Sequence, residues 1–111
     1  MGADAVLMIA VTEAKRAAEK ETTLEGRLKV AMNATKDHWM VTDAEEQFRA
    51  AIGAVLLLSE GEDKDRIMLE MKQLRILGAM ANGVPVDFEQ IKPLENPIGL
   101  TKLWKNIKGA R

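Results

Sequence analysis

A chain of 111 residues that is 47% hydrophobic and 30% charged lies outside the disordered regime and is long enough to bury a core within one domain. It has no cysteine, which excludes a disulfide framework, a thiolate zinc site and a cysteine nucleophile together. The formal net charge of −1 gives no global reason to expect nucleic acid, and the longest apolar runs, 5–11 and 51–58, are too short to span a bilayer.

The apolar mass is Ala, Leu, Ile, Val and seven Met, with Trp39, Trp104, Phe48 and Phe88 as the aromatics. Such an aliphatic composition suits helices better than sheets. A first helix is expected over about 4–19, where Val6, Ile9, Ala10, Ala14, Ala17 and Ala18 recur at helical spacing. Its stripe narrows to alanines, so a neighbouring helix can approach closely. Thr22 and Glu25 form a capping box that opens a second helix, about 23–40, with Leu24, Leu28, Ala31, Thr35 and Trp39 on one face. Nothing between the two is a strong breaker, so one continuous helix is the alternative.

Thr42 or Asp43, with Glu45 or Glu46 three residues on, caps a third helix over about 43–59. Phe48, Ala51, Ile52, Val55 and Leu56 line it, and Leu57 and Leu58 extend the apolar surface around its circumference. That end is expected to be buried on nearly all sides, in the domain or against another subunit. Gly53 leaves room for another backbone.

The stretch 59–65 reads as a loop in which Gly61 takes the left-handed conformation that ends a helix. A fourth helix follows over about 63–81, its acidic start favoured by the macrodipole. Ile67, Met71, Leu74, Gly78 and Ala81 form its stripe, and Met68, Leu69, Ile76, Leu77 and Met80 widen it. Asn82 or Gly83 and then Pro85 stop it. Asp87 is expected to cap a short helical stretch limited by Pro93. Asn96 and Pro97 then start a last helix over about 97–108, with Leu100, Leu103, Trp104 and Ile107 on one face.

The residues from 97 onward hold Lys102, Lys105, Lys108 and Arg111 and no acid, while the first 96 carry 12 bases and 17 acids. By charge this is a basic arm. By periodicity it is the closing helix of a bundle or a helix docked on a neighbouring subunit, and that reading comes first.

Sites of chemistry are scarce. His38 is the lone histidine, and its chain neighbours Asp37 and Trp39 point elsewhere on a helix, so it reads as structural or solvated. No phosphate-binding glycine loop or metalloprotease motif occurs, and Ser59, the one serine, has no histidine near it in sequence. Glu60, Glu62, Asp63 and Asp65 lack EF-hand spacing and read as a solvated, dipole-favoured cap. Glu60-x-x-Asp63 and Glu62-x-x-Asp65 resemble the Glu-x-x-Asp half of the all-α nucleotide pyrophosphohydrolases related to MazG. The resemblance implies carboxylates one turn apart that hold Mg²⁺ and activate water against a phosphate. The matching Glu-x-x-Glu is missing, with Asp43-x-x-Glu46 as the nearest stretch.

The expected fold is all-α: a bundle of four main helices plus a short C-terminal amphipathic helix, forming a single domain over 1–111. The third and fourth helices carry more apolar surface than a small monomer hides, so a homodimer or higher oligomer is expected through them or through the C-terminal helix. The expected function is a small interaction module that binds another protein, with no catalytic activity. Nucleic acid is not the expected partner, and no catalytic, metal or cofactor-binding residue is assigned. The candidate partner-binding residues are Leu57, Met68, Met71, Lys102, Trp104, Lys105 and Lys108. Methionines suit such a surface because they are flexible and polarizable, although core filling is their ordinary use. Chain size, absent cysteine and an N-terminus without early bases or a myristoylation serine point to a cytoplasmic accessory protein of bacterial or phage type. The alternatives are a Mg-dependent pyrophosphohydrolase-like enzyme and a weak binder of acidic surfaces, membrane or nucleic acid, acting through the basic tail.

Overall fold

The computed structural model describes residues 3–39, 41–85 and 97–110, with side chains over 8–39, 41–76, 82–85 and 97–107. Among them the regular elements are five helices and no strand: α1 (Ala3–Ala18), α2 (Leu24–Lys36), α3 (Ala44–Leu58), α4 (Gly61–Ala81) and α5 (Leu100–Ala110). The expected helical stretch after Asp87, Asn96 as a cap, and the side chains of Val6, Leu77, Gly78, Met80 and Ala81 lie outside the described residues.

Helices α1, α2 and α3 pack on one another, and α5 lies against α3 and α4. Small residues make the first contact possible. Ala10, Ala14 and Ala18 of α1 and Ala50, Ala51 and Ala54 of α3 are all buried, so two backbones come close without a large side chain between them. Val11 is buried where Ile9 was expected to be, so the inner face of α1 is rotated from the expected stripe. The side chain of Val11 fills the space beside Gly53, its Cγ2 lying 3.5 Å from the point a Cβ there would occupy.

The chain between α1 and α2 does break, which removes the continuous-helix alternative. Thr23, in extended conformation, caps α2, and its hydroxyl accepts the Gly26 N–H at 3.0 Å. The cap is one residue later than expected, because Thr22 and Thr23 offer the same chemistry and Gly26 presents the reachable donor. Arg27 then fastens the junction. Its Nε donates to the Glu21 carbonyl at 3.0 Å and its Nη1 to the Leu58 carbonyl at 2.9 Å. The second bond satisfies an orphan carbonyl in the last turn of α3, where a cation also suits the helix dipole.

Helix α2 ends at Lys36, several residues before the expected end. His38 turns the chain, its N–H bonding to the Thr35 carbonyl and its carbonyl accepting the Val41 N–H. Trp39 is therefore off the helix and 80% exposed, which corrects its expected place on the core face of α2. Of the two expected caps of α3, Thr42 and Asp43, it is Asp43 that serves, its carboxylate accepting the Glu46 N–H at 2.8 Å. At the other end Ser59, not Gly61, caps α3, its hydroxyl donating to the Val55 carbonyl at 2.6 Å. Gly61 does adopt a positive φ of 59°, but as the first residue of α4.

Helix α5 begins later than the expected proline-led start. Gly99, at φ 89°, supplies the backbone turn, and its carbonyl accepts the Leu103 N–H. The side chain that receives the free amides belongs to another helix. Glu70 of α4 accepts from the N–H groups of Ile98, Gly99 and Leu100. A carboxylate facing a helix N-terminus meets both the unpaired donors and the positive end of the dipole. Leu100 and Ile107 are buried, and Leu103 and Trp104 pack half-buried against the same core. The amphipathic face of the tail thus closes on its own chain.

Candidate partner-binding surface

Leu57 sits in the last turn of α3 and is 61% exposed, and Leu58 beside it is half-buried. The expectation that the end of α3 is buried within the domain fails there. Core packing claims only one side of that turn, taking Val55 and part of Leu56.

Helix α4 divides in the same way. Ile67 and Glu70 are fully turned inward, with Asp63, Arg66, Met71 and Leu74 half-buried beside them. Met68 and Leu69 point outward at 55% and 51% exposure. Together with Ile52, Gly53 and Leu56 of α3 they line a groove of about 630 Å³. Met71 borders that groove and also a second cavity of about 420 Å³, shared with Phe48, Leu74 and Trp104. The Trp104 ring lies 5.3 Å from that of Phe48 at a tilt of 58°, an edge-inclined aromatic contact.

Lys102 and Lys105 are exposed and line a different cleft, with Glu70, Pro97, Gly99 and Thr101. The Lys108 side chain lies outside the described residues. The seven candidates therefore do not form one cluster. Met68 and Met71 share the α3–α4 groove, Met71 and Trp104 share the second cavity, and the two described lysines stand apart. Leu69 belongs with Met68 and was not singled out from the sequence. Its place in a helix whose apolar residues spread around much of the circumference hid which of them face out.

Of the carboxylates in and opposite the hydrolase resemblance, three are engaged locally, while Glu60, Glu62 and Asp65 are exposed. Asp43 caps α3, Glu46 accepts the Thr42 hydroxyl at 2.6 Å, and Asp63 pairs with Arg66 at 3.7 Å. Among the described residues no group of three or more His, Asp or Glu side chains converges so as to hold a metal ion. His38 is buried and its Nε2 lies 2.7 Å from the Glu13 carboxylate of α1, so it links the α2–α3 turn to the first helix. Trp39 stacks on its ring at 6.2 Å between centroids.

Among the described residues no helix is long and apolar enough to cross a membrane. No known family model matches the chain, and comparison with curated proteins and with solved structures returns no significant relative.

Proposed function

We propose that this protein is a small interaction module without catalytic activity, binding protein through the outer side of α4 and the adjoining end of α3. In this reading α4 and α5 complete a bundle of four main helices with a short C-terminal helix, and the chain works as a homo-oligomeric, cytoplasmic accessory protein of bacterial or phage type. One observation carries it: Met68 and Leu69 of α4, each more than half exposed, line a groove with Ile52, Gly53 and Leu56 of α3, and Leu57 stands more than half exposed in the last turn of α3. Apolar side chains gathered beside a groove mark interaction sites more often than isolated ones do.

Met68→Glu and Leu57→Glu test the reading. Loss of protein association with an unchanged circular dichroism spectrum supports it, and association unaffected by both substitutions removes it. A screen of nucleoside triphosphates with Mg²⁺ addresses the enzymatic alternative. Hydrolysis that disappears on Asp63→Ala replaces this reading with the enzymatic one.

A further inference from the structure

We infer that the occupant of the outer face of α4 is a second copy of this chain, packed antiparallel about a two-fold axis that passes between Met68 and Leu69. The inference rests on the interaction-module reading and names its partner.

The exposed residues along α4 carry the argument. In order they include Glu62, Asp65, Met68, Leu69, Lys72 and Arg75. Two acids precede the apolar pair and two bases follow it, at matching intervals. Asp65 lies one turn before Met68, and Lys72 lies one turn after Leu69. Glu62 and Arg75 stand one turn further out on either side. Asp63 pairs with Arg66 along the helix, Glu70 faces inward to the start of α5, and Glu45 and Arg49 of α3, of opposite charge, border Arg75. Lys64 stands on the flank of this stripe.

A two-fold interface must be self-complementary, because each residue i that meets j is matched by j meeting i. An antiparallel second α4 satisfies this condition. Met68 comes level with Leu69 of the second copy and Leu69 with its Met68, Asp65 comes level with its Lys72, and Glu62 comes level with its Arg75. A parallel arrangement places acid on acid and base on base, which opposes association. The four charges of the face sum to zero, so it offers no net attraction to a strongly acidic or basic partner. The α3–α4 groove adjoins the apolar pair and gives the side chains of the second copy space to pack.

Sedimentation equilibrium on the full chain tests the pairing. The wild type is expected to be a dimer at micromolar concentration and to weaken as salt is raised. Asp65→Lys and Lys72→Asp each set like charges opposite one another twice, so each weakens self-association by at least about tenfold. Mixing the two single variants is expected to give a heterodimer, and D65K/K72D in one chain is expected to restore the homodimer. A dimer that ignores both single substitutions overturns the inference, because its interface lies elsewhere. A monomeric wild type overturns it too; if Met68→Glu then still abolishes binding to a different protein, the interaction-module reading stands alone. Circular dichroism and thermal melting of each variant confirm that the exposed charge changes leave the fold intact.

Discussion

Glu70 on α4 holds Leu100 at the head of α5: one carboxylate oxygen accepts the Leu100 N–H at 3.1 Å and the Gly99 N–H at 2.9 Å. The other oxygen accepts from Ile98. A single side chain thus receives the amides that α5 cannot satisfy internally, and it ties the last helix to the fourth. Glu70→Ala is expected to cost about 2–3 kcal/mol, since buried donors lose a charged acceptor. Glu70→Gln keeps an acceptor but loses the charge, and its cost is smaller. Urea denaturation ranks the three chains, and equal stability of wild type and Glu70→Ala removes the carboxylate from the cap.

Gly53 offers a change in the other direction. A Cβ there meets Val11 at 3.5 Å, an ordinary contact distance. In the interior of α3 an alanine also removes the conformational cost of glycine. Gly53→Ala is expected to raise stability by about 0.5–1 kcal/mol. A fall in the thermal midpoint would show that α1 and α3 are packed more closely than the structure has them.

The two tryptophans separate the closing-helix role of α5 from the basic-arm alternative. Trp39 is 80% exposed, whereas Trp104 packs on Phe48. Trp104→Ala is expected to destabilise by about 2–4 kcal/mol, and Trp39→Ala by no more than about 0.5 kcal/mol. In Trp39→Phe the remaining emission is expected to be blue-shifted and indifferent to anionic vesicles. Emission near that of free tryptophan, moving on vesicle addition, revives the arm.

His38 and Glu13 join the α2–α3 turn to α1 through a 2.7 Å contact. The carboxylate is more than half exposed, so their coupling is expected to be modest, at most about 1 kcal/mol in a double-mutant cycle. His38→Ala alone costs more than Glu13→Ala, because it also empties a buried site. A cycle with no coupling makes the contact incidental to the fold.

The sequence by itself determined the helices and much of their inner faces. Apolar spacing placed α1, α3 and α5 within a few residues, Thr42 and Asp43 together marked the cap of α3, and the stripe Leu100, Leu103, Trp104, Ile107 foretold that the tail docks. Those features are local: a helix face and a cap depend on residues within one or two turns. Only the tertiary structure decided where α2 stops, which side of α4 looks outward and what holds α5. Arg27 reaches the Leu58 carbonyl across 31 positions, and Glu70 reaches Leu100 across 30. Periodicity reports how apolar residues are distributed around one helix, not which neighbour stands beside them. On α4 the spacing put Ile67 on the stripe and Met68 and Leu69 beside it, but apolar residues spread that widely did not say how far around the helix the core reaches. Packing chose Ile67, leaving Met68 and Leu69 in the open between two acids and two bases.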